Sequence, residues 1–254
     1  MKTQQNIALV TGGSRGLGRN MVLHLAQNGA DVVLTYHSRK NEAAEVVAAV
    51  AQMGRKAIAL QLDTGKTATF DAFTAILTAE LKAVWNTTQV NFLINNAGID
   101  AFSYFPDTTE EVFDNLFNVH FKGVYFLTQK MLPLLADNGR VVNLSTGLAR
   151  FVTPGYAAYS SMKGAIENFT RYLAKELGGR GITANTVAPG PIETDFTKGA
   201  FDAHPGTREY LASQTALGRL GQPEDIGGIV AFLCSDAARW VTAQRIEASG
   251  GTFL

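Results

Sequence analysis

The chain has 254 residues, of which 46% are hydrophobic and 17% charged, the composition of a folded protein with a sizeable core. Lys and Arg number 22 and so do Asp and Glu, so the sequence lacks the basic footprint of a general nucleic-acid binder. The single cysteine, Cys234, excludes an internal disulfide framework and any multi-cysteine metal site, and the four histidines lack metal-ligand spacing.

In chain order, Ile7–Val10 is an apolar run that ends at Thr11-Gly12-Gly13 and reads as a strand. Leu17–Gln27 is a helix with Leu17, Met21 and Leu25 on one stripe, and Asp31–Tyr36 is a buried strand. A helix follows over Asn41–Met53 with Gly54 as its stop, then a strand over Ala57–Leu62 and a helix over Thr69–Leu81. Val90–Ile94 is a strand closing on Asn95-Asn96-Ala97-Gly98, and a long helical stretch, broken near its middle, runs from about Thr109 to Leu135. Arg140–Leu144, Thr183–Val187 and Arg245–Ala248 read as strands, Gly155–Leu177 and Pro223–Cys234 as helices. Strict alternation of near-continuous apolar strands with helices predicts a single-domain α/β fold, a doubly wound, seven-stranded parallel sheet of Rossmann type with helices on both faces. Residues 189–222 are the least regular stretch and too long for an ordinary connection, so a substrate-binding loop or lid is expected there. No apolar run reaches the ~18 residues of a membrane span. The apolar stretch near the start is too short for a signal peptide, so a cytoplasmic protein with no membrane partner is expected.

Thr11-Gly12-Gly13-Ser14-Arg15-Gly16-Leu17-Gly18 lies between the first strand and the first helix. Bare backbone at that turn lets a pyrophosphate approach the helix N-terminus, where free N–H groups and the helix dipole favour anions. The spacing Gly12, Gly16, Gly18 resembles that of the short-chain dehydrogenase/reductase family, in particular its 3-oxoacyl-acyl carrier protein reductase-like members. Three later motifs agree in order and spacing: Asn95-Asn96-Ala97-Gly98, Tyr159-Ser160-Ser161-Met162-Lys163, and Pro189-Gly190 with Thr194. The resemblance covers nearly the whole chain. It implies that Ser14, Arg15, Leu17, Asn95, Ala97 and Gly98 lie along a nicotinamide nucleotide, that Asp63 contacts its adenine, and that Pro189, Gly190, Ile192 and Thr194 contact its carboxamide end. It also implies a homotetramer, or a dimer, with the long helices and the C-terminal tail at the interfaces.

The end of the second strand selects the nucleotide. An acidic residue there would bind the ribose hydroxyls of NAD(H), but the segment after Leu34 is Thr35-Tyr36-His37-Ser38-Arg39-Lys40. With Arg15, Arg39 and Lys40 available to pair with a 2′-phosphate, NADP(H) is favoured over NAD(H), with His37 and Ser38 beside the phosphate.

Tyr159 and Lys163 are four residues apart and share a helix face. An ammonium near a phenol favours the phenolate, so this pair can pass a proton to or from a substrate oxygen. The family resemblance implies a hydroxyl thirteen residues before the tyrosine. Thr146 stands there, preceded by Ser145, and either can supply it. The resemblance also implies an asparagine relay residue three places before Gly123, where this chain has His120; Asn118 could replace it only through a local bulge, being about 200° away on a regular helix.

Phe102, Tyr104, Phe105, Phe151, Tyr156, Phe196 and Phe201 fall in loops at the carboxyl edge of the sheet. They suit an apolar or aromatic carbonyl compound, while Arg150 and Arg208 leave room for an anionic group. The expected activity is interconversion of a carbonyl and a secondary alcohol. The departures at His120 and Thr146 keep open a dinucleotide-binding sensor or scaffold, or an epimerase or dehydratase that retains its nucleotide.

Overall fold

The computed structural model describes residues 6–254. Its centre is a seven-stranded, all-parallel sheet in the order β3-β2-β1-β4-β5-β6-β7. The strands are β1 (Ile7–Val10), β2 (Asp31–Tyr36), β3 (Ala57–Gln61), β4 (Val90–Asn95), β5 (Leu135–Leu144), β6 (Thr183–Pro189) and β7 (Arg245–Ala248). The helices are α1 (Gly16–Gln27), α2 (Lys40–Gln52), α3 (Phe70–Trp85), α4 (Glu110–Phe117), α5 (Gly123–Met131), α6 (Ala157–Leu177), α7 (Asp195–Ala203), α8 (Thr207–Ser213) and α9 (Glu224–Leu233).

Strand alternation assigns each side chain to a face. Ala8, Val10, Val32, Leu34, Ile94 and Val142 pack beneath α1, α2 and α9 with Met21, Leu25, Val46 and Val230. Ile7, Leu9, Val33, Leu93 and Val141 pack on the other side with Phe73, Leu77, Leu127, Met131 and Leu173 from α3, α5 and α6. Each sheet face is thus an apolar layer, which is why the strands read as unbroken hydrophobic runs. The strand order reverses between β1 and β4, so a crevice opens at their carboxyl ends, where both site-bearing loops emerge.

Three expected elements differ. The long helical stretch is broken near its middle as expected, by a π-helical turn at Asn118–Lys122, but its last α-helix stops at Met131, short of Leu135. Pro133, in the short turn that follows, cannot supply a helical N–H, and Leu135 instead pairs with Val90 in the sheet. Gly155 does not start α6; it sits at φ +90° in the preceding turn, and Phe102 fills the space its side chain would need. Residues 189–222 are not irregular: they contain α7, closed at its N-terminus by a reciprocal Thr194–Thr197 capping box, and α8.

Candidate active site

The crevice is held together by side chains of the two loops that line it. The Thr11 hydroxyl accepts from the backbone N–H groups of Asn96 (2.9 Å) and Ala97 (3.0 Å). The Asn96 amide in turn donates to the Thr11 carbonyl (2.8 Å) and the Gly12 carbonyl (3.2 Å). Neither residue was singled out from sequence; the signal was their place inside the two glycine-bearing motifs. Gly12 and Gly16 have φ of +65° and +52°. A Cβ on Gly18 would lie 2.1 Å from the Gly12 carbonyl oxygen, so only glycine lets the turn fold onto the first residues of α1.

This turn fits a dinucleotide. Arg15, at the helix start, makes no side-chain cap, and the first turn of α1 has no acidic residue, so the free N–H groups point into the crevice without a competing anion. Thr194 approaches from the opposite wall, 3.9 Å from where a Gly16 Cβ would stand. Arg15 lies 3.6 Å from Asp195 of α7, linking the turn to the 189–222 segment. Ile192 pairs with Gly221 at the base of that segment, and Gly190 is pressed against Ser249.

At the adenosine end, His37, Ser38, Arg39 and Lys40 are all exposed. Arg39 pairs with Glu42 at 3.2 Å. Asp63 accepts from the Gly65 N–H (2.9 Å) and lies 3.6 Å from His37 and 3.4 Å from Lys66, so part of its carboxylate shapes its own turn. Asn95 is buried, donating to Thr128 (3.0 Å) and Asn143 (2.8 Å), so its side chain ties β4 to α5 and β5 rather than facing the crevice.

At the other end of the crevice, α6 carries Tyr159 and Lys163 on one stripe, both buried. The Thr146 hydroxyl stands close enough to the Tyr159 phenol to favour its ionised form. Lys163 Nζ donates to the Leu144 carbonyl (2.7 Å) and lies 5.8 Å from the centre of the Tyr159 ring. Burial pulls its ammonium down to about 8. Burial, then the Asp100 carboxylate, push the Tyr159 phenol above its ordinary value, against the opposing pull of Thr146. The expectation of a phenol ionised by its ammonium neighbour is corrected here: with the ammonium engaged at Leu144, desolvation wins, and Tyr159 is a protonated acid at neutral pH. Asp100 is a site residue that sequence reasoning missed; it carries no motif signal and reaches the phenol only through the β4 loop.

Ser145 turns the other way. Its hydroxyl donates to Glu167 (2.6 Å) on the far side of the strand end. Consecutive strand residues face opposite sides, so of the two candidates the structure brings Thr146, and not Ser145, to Tyr159.

The π-helical turn at Asn118–Lys122 is a local bulge of the kind that Asn118 would need to replace His120, yet it is His120 that meets Tyr159. The imidazole meets the Tyr159 ring edge-on at 5.1 Å and is 1% exposed. Its Nε2 lies 2.8 Å from the Ile99 carbonyl and 3.2 Å from the Ile99 N–H. On the shorter contact Nε2–H donates to the carbonyl, which leaves Nδ1 as a buried acceptor with no partner among the described residues. Burial, then the charge of Lys163, lower the imidazole to about 3, so it is neutral throughout the physiological range.

The mouth is aromatic. Phe102 contacts Tyr104 at 5.2 Å and Tyr156 at 5.5 Å, and Tyr156 contacts Tyr159 at 6.3 Å, forming a chain of rings from solvent to the phenol. Phe105 and Phe196 remain exposed. Phe151 packs instead on Phe253, and Phe201 is buried under Arg208 at 4.9 Å. Arg208 also pairs with Glu193 and Asp202, and is committed within the 189–222 segment rather than free for an anionic group. Arg150 lies over Phe151 at 5.5 Å.

The family model described as "Enoyl-(Acyl carrier protein) reductase" matches residues 12–252. The chain belongs to the short-chain dehydrogenase/reductase family. Within that family it is 40% identical over 250 residues to an oxidoreductase of Methylorubrum extorquens, covering 98% of each chain. It is 35% identical to the tetrahydroxynaphthalene reductase PfmaG of Pestalotiopsis fici, over 96% of this chain and 90% of the relative. Among solved structures, the angucycline C-6 ketoreductase LanV with bound NADP superposes with a TM-score of 0.92 at 36% identity, covering 98% of this chain and 95% of that one. The relatives are reductases, and the chain is an oxidoreductase of the same family. Against the family pattern that the sequence resembles, His120 in the relay position and Thr146 as the hydroxyl are its two departures at the reacting centre.

Proposed function

We propose that the protein is an NADP(H)-dependent carbonyl reductase that interconverts a bulky aromatic ketone and its secondary alcohol. The observation that carries this reading is the convergence of Tyr159, Thr146 and Lys163 at the aromatic end of a glycine-lined crevice. The basic, acid-free end of β2 favours the 2′-phosphate, and the NADP-bound LanV structure supports that choice. Aromatic substrates are favoured by the Phe102–Tyr156–Tyr159 chain of rings and by relatives named as a tetrahydroxynaphthalene reductase and an angucycline C-6 ketoreductase.

When bound, the nucleotide supplies the hydride at its nicotinamide C4. Gly12, Gly16, Gly18 and the start of α1 would hold its pyrophosphate, and Ile192 and Thr194 would hold its carboxamide end. Tyr159 gives its proton to the carbonyl oxygen, Thr146 donates a hydrogen bond to the same oxygen, and Lys163 stabilises the phenolate that remains. Neutral His120 fixes the edge of the Tyr159 ring without itself exchanging a proton. The aromatic groove formed by half-buried Phe121 and Phe169 with exposed Tyr125 and Tyr172, across the π-helical turn, α5 and α6, supports a homotetramer or dimer.

The test is NADPH consumption with a panel of naphthol-, quinone- and tetralone-type ketones. Turnover coupled to alcohol formation is expected; no consumption together with no nucleotide binding overturns the reading. Arg39→Ala is expected to raise the KM for NADPH about tenfold or more while leaving that for NADH unchanged, because it removes a charge-assisted contact worth ~1.5–3 kcal/mol. Equal effects on both nucleotides would refute the assignment of the 2′-phosphate.

Lys163 sets a pH limit. Its ammonium is present below about 8 and lost as the pH rises through that value. The kcat/KM for ketone reduction is therefore expected to fall above about pH 8, and Lys163→Arg, whose guanidinium stays charged, should flatten that limb at a lower overall rate. A limb that persists in the arginine variant belongs to another group.

A further inference from the structure

Beside the reacting centre, one turn along α6 from Lys163, lies a half-buried ion cluster that the proposed chemistry does not use. Glu167 follows Lys163 by one helical turn, extending the Tyr159–Lys163 stripe along α6. Its carboxylate accepts from Ser145 Oγ and from Arg245 Nε, both at 2.6 Å. Arg245, the first residue of β7, also pairs with Glu247 two residues on. Its remaining nitrogen donates to the main-chain carbonyl of Thr146 at 3.1 Å. One guanidinium therefore joins three elements, α6, β7 and the end of β5, and one of its bonds falls on the residue whose hydroxyl meets Tyr159.

From this geometry we infer that Arg245 and Glu167 are positioning residues for the reaction, clamping the Ser145–Thr146 strand end so that the Thr146 hydroxyl is held against the Tyr159 phenol. The inference rests on the reading of Tyr159 and Thr146 given above.

The physical argument is one of degrees of freedom. Thr146 is the last extended residue before a short helical turn, Gly147–Ala149, at φ −158° and ψ 153°. Its hydroxyl accepts from the Leu148 N–H at a long 3.3 Å, and its carbonyl accepts from the Ala149 N–H at 3.2 Å. Both bonds are local to the turn and would move with it. Ser145 is paired to β6 through its N–H and the Val187 carbonyl (2.8 Å) and to the helix bearing Tyr159 through Glu167 and the Lys163 carbonyl; the Arg245 bond carries the tie one residue further, to Thr146 itself. A planar guanidinium can hold a carboxylate, a second carboxylate and a carbonyl at fixed mutual angles; an ammonium cannot. Because Glu167 and Tyr159 stand on the same helix, the clamp references the Thr146 hydroxyl directly to the phenol.

The experiment is a double-variant cycle in the full-length protein, read as kcat and KM for the ketone, with nucleotide affinity as the control for folding. Arg245→Met is expected to lower kcat about 10- to 100-fold, the scale of a misplacement near 1 Å, with the KM for ketone and the affinity for NADPH within about twofold. Arg245→Lys keeps a charge between the two carboxylates, so it should fold as the parent does and recover only part of kcat. In a Thr146→Val background, where no hydroxyl remains to be placed, Arg245→Met should cost less than about twofold more. A full-sized loss in that background, or wild-type kcat in both Arg245 variants, overturns the inference while leaving the reductase reading intact. A second measurement does not depend on turnover: the 13C resonance of Tyr159 Cζ reports its hydrogen bond to Thr146. Arg245→Lys and Arg245→Met should move it in the same direction as Thr146→Val, and an unmoved resonance refutes the clamp whether or not any ketone is turned over.

Discussion

Tyr159→Phe is expected to lower turnover by about a thousandfold, within the span that general acid catalysis contributes, while nucleotide affinity stays within about twofold. Phenylalanine keeps the ring, and with it the edge-on contact to His120 at 5.1 Å and the contact to Tyr156 at 6.3 Å, so the packing of the site survives. What disappears is one hydroxyl that is buried, protonated at neutral pH and close to the Thr146 hydroxyl. No neighbour can take its place. His120 has its only N–H committed to Ile99, and the Lys163 ammonium is drawn to the Leu144 carbonyl. Burial raises the Asp100 carboxyl above its ordinary value, against a backbone hydrogen bond at Ala101, but no hydrogen bond joins it to the phenol. Single-turnover absorbance at the reduced-nicotinamide band, alongside nucleotide titration by fluorescence, separates the two quantities. A variant that binds the nucleotide and still reduces the ketone at the parent rate would show that Tyr159 is not the acid.

The parallel sheet and its order of helices were legible because burial on both faces leaves the same mark in every strand. Ala8 and Val10 face one layer and Ile7 and Leu9 the other, so no polar residue interrupts the run. The glycine turn was legible because Gly18 has no alternative: any Cβ meets the Gly12 carbonyl. Choices that depend on which way a side chain points at the end of an element were not legible. Ser145 and Thr146 differ by one strand position, and only the location of Glu167 and Arg245 on neighbouring elements shows which faces the phenol. The same holds for His120, whose inward turn depends on the π-helical bulge. The bulge is accommodated where Gly123 presses to within 2.0 Å, at a would-be Cβ, of the Thr64 carbonyl, a contact between segments far apart in sequence. The sign of the Tyr159 perturbation was misjudged for a related reason. Spacing shows that an ammonium is near a phenol, but not that a carbonyl has captured it or that both groups have lost their water.

The largest pH effect on folding should come from His120. Its folded-state value of about 3 lies below the ordinary 6.5, so between those values the unfolded chain binds a proton that the native protein refuses. Stability contributed in this way is fully present above about pH 6.5 and is lost as the pH falls from there towards 3, with a slope approaching 1.4 kcal/mol per pH unit. Over two units the loss is ~2–3 kcal/mol, a sizeable share of the ~5–15 kcal/mol that holds a typical domain together. The cause is structural. Protonating Nδ1 would place a cation in a site 1% exposed, beside Lys163, and give it an N–H with no acceptor. His120→Gln removes the titration while leaving an amide able to donate to the Ile99 carbonyl. Urea midpoints measured at one protein concentration from pH 7 to 4 should fall more steeply for the parent than for the variant, the two curves converging or crossing as the pH drops. Parallel curves would mean that His120 accepts its proton in the folded state, and that the neutral ring proposed to brace Tyr159 is charged instead.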